Sequence, residues 1–449
     1  MKKVVKFGGS SLASAEQFKK VGEIIRSDAA RRYVVPSAPG KRHSGDTKVT
    51  DLLYQLYDST EDEALFQETL KEIKGRYQEI IDGLSLDLDL SAEFAELEKN
   101  FRAQCGREYA ASRGEYLNGH VMAAYLGFPF VDPADMILFH NDGTLNTEET
   151  ESAVAERLKD YDCAVVPGFY GRKEDGSIAT FSRGGSDVTG SVIAGAIHAD
   201  LYENWTDVSG FLCADPHIVE DPAVIETITY QELRELSYMG ASVLQEEAIF
   251  PVREVGIPIQ IKNTNRPEKR GTIIRETAEE GRSEHLITGI AGKRDFMAVH
   301  VMRAHMSDKV GFIRRALSIF EKYDVSVEHI PTGVDSFGVV VSASDVKDSV
   351  YSIVNDIQRD LKPDSINVVD KLALISVVGR NMSRRAGTSG RIFGALGEAG
   401  INIRMITQSS QEISIIMGVD NDDFERAINV IYDRFVENEM AILSEADRG

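Results

Sequence analysis

A lysine, two glycines and two serines stand together near the start of the chain, directly after a short apolar run. Residues 6–11 read Lys-Phe-Gly-Gly-Ser-Ser, and a helical pattern begins near Ser14. Glycines let backbone N–H groups approach an anion closely, and a helix start adds a positive dipole end. The lysine adds a point charge suited to phosphoryl oxygens. The spacing of a P-loop is absent, and alone the segment also fits a plain turn.

A second polar cluster opens a helix in the middle of the chain. Residues 183–187 read Arg-Gly-Gly-Ser-Asp, and apolar residues follow them at helical spacing. The glycines and the serine can cradle an anion at the helix start, while the guanidinium of Arg183 matches a carboxylate. An N-capped helix with an exposed arginine explains the same residues, so both interpretations stay open at this point.

A third cluster follows a predicted strand at 201–205. It contains Thr206 and Asp207, then Ser209 and Gly210, and the dipeptide Asp215-Pro216 comes soon after. Open α/β sheets bind ligands at the carboxyl ends of their strands, which is where this loop would lie. A simple turn at Asp215-Pro216 is the alternative.

The elements that carry these clusters alternate along the first 274 residues. Runs rich in β-branched and aromatic residues predict strands at 4–7, 33–35, 164–166, 201–205 and 257–261. Apolar residues at helical spacing predict helices at 15–26, 185–198 and 230–238. This alternation is typical of an α/β sandwich with a mainly parallel central sheet. The charged, strand-free stretch at 61–101 predicts a helical insertion beside that sheet.

The C-terminal third contains an internal repeat, since residues 311–341 align with residues 387–417 without a gap. Each copy has a helix, a strand at 324–327 or 400–403, a polar turn, a second strand and a second helix. Units of this order are ferredoxin-like, and two in tandem indicate a regulatory or binding module, although packing alone could also explain them. A Pro-, Gly-, Arg- and Glu-rich stretch at 266–284 predicts a linker before the repeat.

Size and charge limit the classes of function. The chain has 449 residues and a formal net charge of −22. A chain of this length exceeds what one hydrophobic core supports, so two or three domains are expected. The acidic surface repels phosphate backbones and anionic lipid heads, so neither nucleic acid nor a membrane is an expected partner.

The cysteines and the N-terminus favour a cytoplasmic protein. Cys105, Cys163 and Cys213 lack the paired spacing of a metal site, which is typical of thiols in a reducing compartment. The apolar run after the first residues is broken by Lys6 and Gly8, so it predicts a strand rather than a signal peptide.

Together the clusters resemble the aspartate kinases of the amino-acid kinase superfamily, over essentially the whole chain. Residues 6–11 look like the family's opening signature, residues 37–40 and 49–53 resemble its second loop, and Gly114-Glu115 its Gly-Glu element. Gly168-Phe169 and residues 183–187 are similar to its substrate pocket. The repeats resemble the ACT pair that makes these enzymes feedback-sensitive. The resemblance implies a three-layer α/β sandwich with a mainly parallel central sheet and tandem ferredoxin-like βαββαβ ACT domains.

The resemblance also implies domain boundaries. An amino-acid kinase catalytic domain is expected at 1–284, with the helical insertion at about 55–105. A first ACT region is expected at 285–370 and a second at 371–449. Because the family interleaves its ACT units, the strand at 285–300 can pair with the second region. ACT units usually pair across subunits, so a homo-oligomer is expected.

A role follows for each residue that matches the family pattern. Lys6 and Asp187 would be catalytic, Glu115 would bind the α-ammonium of L-aspartate, and Arg183 would bind its α-carboxylate. The remaining substrate contacts would be Ser37, Thr50, Phe169, Gly184 and Ser186. The nucleotide contacts would be Lys6, Gly8, Gly9, Ser10, Thr206 and Asp207. The implied cofactor is ATP with Mg²⁺ bound through the nucleotide phosphates, and no metal site on the protein is implied.

Several positions depart from the family pattern and bear on ATP. His217 stands where many relatives have arginine, Ser242 where many have lysine, and Gln245-Glu246 where His-Pro is usual. These changes remove cationic phosphate contacts. Lys262 could compensate, although a solvated strand end is the preferred interpretation.

The first repeat carries residues that match an effector pocket of lysine-sensitive relatives. They are Met306, Gly311, Phe312, Ile313, Ser326, Val327, Glu328 and Thr332. Gly333 and Val334 depart from the polar pair common there. An amino-acid effector is therefore expected, with lysine as the leading candidate.

The leading hypothesis is an aspartate kinase at the head of lysine, threonine and methionine synthesis. One alternative is another carboxylate kinase of the superfamily, acting on glutamate or acetylglutamate. Another is a catalytically weakened amino-acid sensor, which His217 and Ser242 favour and the intact Lys6, Arg183 and Asp187 oppose.

Overall fold

The computed structural model describes residues 1–182, 184–241, 244, 248–277, 286–382, 385–408 and 413–437. The chain forms two compact units, a first of residues 1–211, 226–229 and 243–278, and a second of residues 212–225, 230–242 and 279–449. The second unit therefore includes two segments from the middle of the chain. The domain boundaries expected after residues 284 and 370 stay predictions.

The first unit is built on a seven-stranded sheet and a smaller three-stranded sheet. Its strands are β1 Lys3–Phe7, β2 Arg31–Pro36, β3 Leu138–Phe139, β4 Ala164–Val165, β5 Tyr170–Lys173, β6 Ile178–Thr180, β7 Leu201–Thr206, β8 Thr227–Thr229, β9 Ile259–Asn263 and β10 Thr272–Arg275. The large sheet has the order β4-β2-β1-β7-β9-β10-β8, and the small sheet has the order β3-β5-β6. Only β10 and β9 pair in antiparallel fashion in the large sheet, which confirms the predicted mainly parallel sheet.

Helices cover the sheet, as the strand–helix alternation predicted. The helices of this unit are α1 Ala15–Arg26, α2 Val49–Asp58, α3 Glu63–Gly83, α4 Ser91–Arg102, α5 Arg107–Leu126, α6 Thr147–Leu158, α7 Gly185–Ala196 and α9 Phe250–Glu254. Helix α1 has the predicted bounds, because Ser14 caps its start and its apolar face packs inward. Helices α2 to α5 follow one another in the fully described stretch at 49–126, where no strand intervenes.

The stretch predicted as a linker at 266–284 is partly structured. Its residues Thr272–Arg275 form β10, which pairs with β9 on one side and β8 on the other. The linker prediction was therefore wrong for this part, because the Pro- and Gly-rich residues before it form a turn between two paired strands. Residues 278–285 lie outside the described residues.

A buried carboxylate ties the first strands together at the amino ends of β1 and β2. Glu203 on β7 pairs with Lys3 and with Arg31, each at 2.8 Å, and accepts a hydrogen bond from the indole of Trp205 at 2.8 Å. Burial by itself would raise the pKa of Glu203, but the hydrogen bonds and charges of Arg31 and Lys3 outweigh it and lower that pKa. The carboxylate is thus fully partnered and fixes three neighbouring strands.

The second unit contains one five-stranded antiparallel sheet. Its strands are β11 Gly289–Met302, β12 Ser336–Ser342, β13 Ser365–Val378, β14 Met405–Gln408 and β15 Ser414–Asp420, in the order β12-β11-β13-β15-β14. Its helices are α8 Tyr230–Tyr238, α10 Phe312–Lys322, α11 Ala343–Val346, α12 Val350–Leu361, α13 Thr388–Glu398 and α14 Phe424–Tyr432. Helix α8 has the predicted bounds.

The two repeats share strands β11 and β13. Gly289 and Lys293, early in β11, pair with Val378 and Leu374, in the second repeat. Later in β11, Val299 pairs with Val339 of β12 in the first repeat. The strand that precedes the first repeat therefore completes the sheet of the second.

The gapless overlay of the repeats was wrong at the second strand. Phe296 pairs with Ser342 in the first copy, and Leu372 pairs with Asp420 in the second, so β15 is displaced by two residues from the overlay. The connection before β15 is longer by that amount. Residues 325–328 also form no strand; only His329 and Thr332 make isolated bridges to β12.

Helix α8 is anchored on the sheet of the repeats by a buried ion pair. The Glu232 carboxylate accepts hydrogen bonds from the Arg380 guanidinium at 2.6 Å and from the Thr288 hydroxyl at 2.6 Å. The segment at 212–225 is attached to the same sheet by a backbone hydrogen bond. The N–H of Ile290 on β11 donates to the carbonyl of Cys213 at 2.7 Å. Local periodicity predicted the helix, but not the unit to which it belongs.

Candidate functional site

A buried lysine and an aspartate from distant parts of the chain meet at the carboxyl ends of the central strands. Lys6, near the end of β1, lies with its Nζ 2.5 Å from Oδ1 of Asp187, in the first turn of α7. The same Oδ1 accepts a hydrogen bond of 2.8 Å from the side-chain amide of Asn204 on β7. The structure thus brings residues of the first two clusters together and adds Asn204, which sequence reasoning missed.

The glycines after β1 are required by close backbone packing. Gly40 donates its N–H to the carbonyl of Gly9 at 2.8 Å, so the two loops run side by side. A Cβ on Gly9 would lie 2.8 Å from the carbonyl oxygen of Ala38, and one on Gly40 would lie 2.6 Å from the backbone of Gly9. Gly8 bonds to the carbonyl of Trp205, which joins this loop to the end of β7. The close approach of these loops therefore requires glycine at positions 9 and 40, and the anion cradle stays a prediction.

An internal arginine holds the loop that contains Ser37. Arg76 of α3 donates to the carbonyls of Gly40 and Thr47, at 2.9 and 3.1 Å, and pairs with Asp46 at 3.0 Å. The side chain of Asn118 donates to the carbonyl of Ser37 at 2.6 Å. These contacts fix the loop from beneath, and neither Arg76 nor Asn118 was marked by a sequence motif.

Glu115 is a buried carboxylate with one oxygen that no described residue contacts by a hydrogen bond. It lies on α5, and its Oε2 has no hydrogen-bond partner among the residues that the structure describes. Burial raises its pKa to about 7, against backbone hydrogen bonds from Ala38 and its own residue and the charge of Lys6, which act in the opposite direction. A buried carboxylate that lacks a cation is suited to receive one from a ligand.

The remaining predicted substrate residues that the structure describes lie after β2, on α2, before β5 and at the start of α7. Thr50 is 3.9 Å from the position of a Cβ on Gly114, and Ser186 would be 2.6 Å from a Cβ on Gly168. Phe169 has φ of +83°, a strained conformation for a residue with a side chain, and Thr189 holds its N–H at 2.9 Å. Gly184 precedes α7 in a left-handed conformation. Arg183 lies outside the described residues.

The predicted nucleotide residues lie at the ends of β1 and β7, and residues at the end of β9 contact both loops. Thr206 ends β7, and its carbonyl accepts the N–H of Thr264 at 2.9 Å. Asn263 donates to the carbonyl of Asp207 at 3.0 Å, while Ser11 and Thr264 share a hydrogen bond of 2.7 Å. Ser10 and Asp207 are exposed, so the loops after β1 and β7 form one edge open to a ligand.

The departures from the family pattern divide between the described and undescribed parts. His217 lies in the second unit, where its backbone N–H donates to Asp215 at 2.9 Å. Ser242, Gln245 and Glu246 lie outside the described residues. Lys262 was interpreted as a solvated strand end, which is wrong: it is half-buried over the ring of Trp205 at 5.0 Å, and burial lowers its pKa.

The predicted effector residues lie together at the start of α10 and in the segment that follows it. Met306 and Phe312 are buried, and Gly311 has φ of +75°, which suits glycine at this helix start. Beyond α10, Ser326 and Thr332 are exposed, and Ile313, Val327 and Glu328 are half-buried. The set therefore has an apolar base and a polar, accessible rim.

Glu328 is already engaged by a tyrosine of α8. The Tyr238 hydroxyl donates a hydrogen bond to Oε2 of Glu328, and the ammonium of Lys293 lies 5.6 Å from the Tyr238 ring centroid. Burial, and then this hydrogen bond, raise the pKa of Tyr238 to about 12. Tyr238 is nonetheless 52% exposed, so a ligand can compete for the carboxylate.

The second repeat has the opposite charge at the matching position. Glu328 and Arg404 both donate their backbone N–H to the neighbouring strand, to Val340 and Gly418 respectively. Arg404 is paired with Asp420 at 2.9 Å. The two copies therefore present different chemistry at the same place in the fold.

The described residues hold neither a candidate metal cluster nor a candidate membrane span. No three His, Cys, Asp or Glu side chains in the described ranges form a cluster that could hold a metal ion. Within the same ranges no helix is long and apolar enough to cross a membrane.

Known proteins match the chain along most of its length. A model of the amino acid kinase family matches residues 1–263, and an ACT domain model matches residues 375–435. The chain is 38% identical to Aspartokinase 3 of Bacillus subtilis (strain 168), covering 96% of this chain and 98% of the relative. It is 30% identical to Aspartokinase 1, chloroplastic, of Arabidopsis thaliana, covering 97% and 80%.

Solved structures agree with these matches. The crystal structure of Clostridium acetobutylicum aspartate kinase superimposes with a TM-score of 0.87 at 47% identity, covering 97% of this chain and all of that one. E. coli aspartokinase III, in complex with aspartate and ADP, superimposes with a TM-score of 0.70 at 24% identity, covering 97% and 99%. The second likeness shows the fold alone.

Replacing the buried carboxylate with an amide is expected to stabilise the protein at alkaline pH. The pKa of Glu115 is about 7 in the folded state and 4.5 in its ordinary state. Ionisation therefore favours the unfolded chain as pH rises between these values, by about 3 kcal/mol at about pH 8 and about 1 kcal/mol at about pH 5. Glu115→Gln should raise Tm at the higher pH by several degrees and much less at the lower pH.

Differential scanning calorimetry at the two pH values measures this effect. Glu108→Gln is the matched control, because Glu108 begins the same helix but forms a surface ion pair with Lys173 at 2.6 Å. Its Tm should stay the same or fall slightly. An equal gain in Tm at both pH values for Glu115→Gln would contradict the assignment of burial as the cause.

Proposed function

This chain belongs to the aspartokinases of the amino acid kinase family, and on that premise we propose how its residues act on L-aspartate and ATP. The reaction is transfer of the γ-phosphoryl group of ATP to the side-chain carboxylate of L-aspartate, which gives ADP and 4-phospho-L-aspartate. The site assignment rests mainly on Glu115. Its buried Oε2 has no hydrogen-bond partner among the described residues, and the carboxylate is near enough to Lys6 for that charge to lower its pKa.

Glu115 binds the α-ammonium of aspartate in this proposal. An ammonium group donates the hydrogen bond that Oε2 lacks. Its positive charge also stabilises the ionised carboxylate, which burial destabilises. Arg183 would bind the α-carboxylate as a planar fork, a role that rests on the family resemblance. Ser37, Thr50, Phe169, Gly184 and Ser186 complete the pocket.

Lys6 and Asp187 carry out the catalytic role. The attacking group is a carboxylate, which is already ionised at neutral pH, so the reaction needs no strong general base. Catalysis then rests on position and charge: Lys6 neutralises charge on the transferring phosphoryl group, and Asp187 fixes the Lys6 ammonium. The ion pair of 2.5 Å between them supports this division of roles.

The nucleotide phosphates would bind along the edge formed by the loops after β1 and β7. Gly8, Gly9 and Ser10 offer backbone and hydroxyl donors, and Thr206 and Asp207 would contact the rest of the nucleotide. Mg²⁺ is expected to arrive with the nucleotide phosphates and to neutralise their charge when bound. A metal held in this way needs no cluster of protein ligands.

We expect Lys6→Ala and Asp187→Ala each to lower kcat by at least about a hundredfold. Losing one preorganised electrostatic contact to the transition state typically has an effect of this size. A coupled assay of ADP release with saturating aspartate and ATP measures it, with Tm as the control for folding. Turnover at the wild-type rate in either variant would remove that residue from the catalytic assignment.

Substrate choice should follow the charge on Glu115. L-Aspartate should be phosphorylated, whereas N-acetyl-L-glutamate and N-acetyl-L-aspartate should not, because a blocked amine offers no charge to the carboxylate. The value of kcat/KM for aspartate should fall as pH drops below about 7, since protonation removes that charge. Glu115→Gln should raise KM for aspartate and abolish this pH dependence.

The same ADP-release assay with L-aspartate, L-glutamate and the two acetylated acids separates the alternatives. Preference for an acetylated acid would indicate another carboxylate kinase of the superfamily. Activity with none of them, together with binding of an amino acid by calorimetry, would favour a sensor that has lost catalysis.

The first repeat is the proposed effector site, and lysine is the leading candidate ligand. Glu328 would accept the ammonium of an amino acid in place of the Tyr238 hydroxyl, over the apolar base that includes Met306 and Phe312. An effector changes activity only through different affinities for two states of the enzyme. A coupling of about 1–3 kcal/mol is typical, which is about a 5- to 150-fold change in apparent affinity.

Ser326→Ala combined with Glu328→Ala should desensitise the enzyme without reducing its uninhibited turnover. Tyr238→Phe should act in the opposite sense and lower the effector concentration needed by about threefold to tenfold, because it removes a competitor for Glu328. Activity is measured against titrated lysine, threonine and methionine, singly and in pairs.

Arg404→Ala is the matched control, since it alters the corresponding position of the second repeat. It should leave the response to the effector unchanged. An enzyme indifferent to every amino acid tested would show that the repeats are structural or bind something else.

Assembly into a homo-oligomer through the repeats is also proposed. In the described part of the chain, β14 pairs only with β15, so its other edge presents backbone hydrogen-bonding groups. Another subunit can satisfy these groups. Light scattering at assay concentrations should give a mass of two or more chains, and a monomer would contradict the proposal.

A further inference from the structure

An uncharged polar side chain is buried in the middle of the central sheet at Asn204. The residue is 4% exposed, and it lies on β7 in register with Lys6 of the adjacent strand β1. Tyr202, two residues earlier, faces the same side of the sheet and is fully buried. A buried amide is unfavourable unless it is hydrogen-bonded, so packing alone does not explain an asparagine here.

The side chain of Asn204 donates a hydrogen bond to the Asp187 carboxylate, which also pairs with Lys6. Its Nδ2 donates to Oδ1 of Asp187 at 2.8 Å, and the Lys6 ammonium contacts the same oxygen at 2.5 Å. The two donors come from adjacent strands at matched register. The carboxylate is therefore held at two points that belong to the rigid sheet.

Two points of attachment matter because the other partner is flexible. The ammonium of a lysine lies at the end of a flexible four-carbon side chain. If it were the only partner of the Asp187 carboxylate, the carboxylate could rotate as that side chain moves. The amide of Asn204 is short and sits on a central strand. It fixes the rotation of the Asp187 carboxylate and, through it, the place of the ammonium.

We propose that Asn204 is a positioning residue for phosphoryl transfer. It orients Asp187, which in turn sets Lys6 where the transferring phosphoryl group passes. The inference rests on the proposed roles of Lys6 and Asp187 and extends them to a residue outside the motifs that identified the site. Asn204 acts through Asp187 and not on the substrate.

The test compares three variants with wild-type enzyme. Asn204→Leu keeps the size and removes the donor, while Asn204→Asp keeps the shape and replaces the donor with a carboxyl group. Tyr202→Phe is the matched control, because the Tyr202 hydroxyl donates at 3.0 Å to the backbone carbonyl of Asp187 and not to its carboxylate. Each variant is assayed for kcat, for KM of aspartate and of ATP, and for Tm.

Asn204→Leu should lower kcat by about tenfold to a hundredfold, the usual effect of losing a hydrogen bond to a charged group. Both KM values should stay within about twofold of wild type, because the residue does not touch either substrate. Asn204→Asp should be slower still at about pH 8.5, where two carboxylates would face one another. Its kcat relative to wild type should recover toward about pH 6, as the introduced carboxyl takes up a proton and can donate.

A merely structural role would lower Tm without this pattern. Wild-type kcat in Asn204→Leu, or equal losses of kcat in Asn204→Leu and Tyr202→Phe, would overturn the inference. If Asn204→Leu does not fold, the recovery of Asn204→Asp at low pH decides, and its absence also overturns the inference. Asp187→Ala distinguishes the positioning role of Asn204 from the catalytic assignment of Asp187. If Asp187→Ala is inactive and Asn204→Leu is fully active, only the positioning role is refuted. If Asp187→Ala is active, the catalytic assignment itself is refuted.

Discussion

The ion pair between Lys6 and Asp187 is the interaction on which the catalytic unit depends. A lysine buried at the end of a central strand requires a carboxylate, because a buried pair that loses one partner typically costs about 3–5 kcal/mol. The requirement brings the start of α7 over β1 and β7. The loops that carry Gly9 and Gly40 pack so closely that neither position has room for a Cβ.

Two buried glutamates in the first unit have different surroundings, which distinguish a structural carboxylate from a candidate ligand-binding carboxylate. Glu203 has a lysine, an arginine and an indole as partners, so its charge is stabilised and it holds strands together. Glu115 has an oxygen without a partner in the described part of the chain, and burial raises its pKa to about 7. An arrangement that weakens the free protein in this way is common where a ligand supplies the missing group.

The second unit uses one fold twice with different surface chemistry. The copies share β11 and β13, so neither can move as an independent body without disturbing pairing in the other. They nonetheless differ at Glu328 and Arg404, which occupy the same place and carry opposite charges. The copies therefore share a scaffold but differ in the charge that single residues present on it. Helix α8 joins this unit through Glu232 and reaches Glu328 through Tyr238, although it belongs in sequence to the stretch between two strands of the catalytic sheet.

The sequence by itself determined the local elements and the kinds of residue at their ends. Periodicity predicted α1 and α8 with their observed bounds, since a helix is defined by side chains three and four positions apart. The clusters after β1, before α7 and after β7 were visible for the same local reason. The roles assigned to their residues remain predictions.

Tertiary structure alone decided which residues from distant segments became neighbours. Strand order placed Asn204 beside Lys6, and it gave the start of β11 to the second repeat. Both Glu115 and Glu203 are buried, and the partners that surround each one, not the residue type, made them differ. The two-residue error in the overlay of the repeats has the same origin, because only the strand register shows where a connection is longer. Contacts of this kind depend on how the strands assemble into sheets and on which side chains become buried. A local pattern of side chains in the sequence contains no information on either.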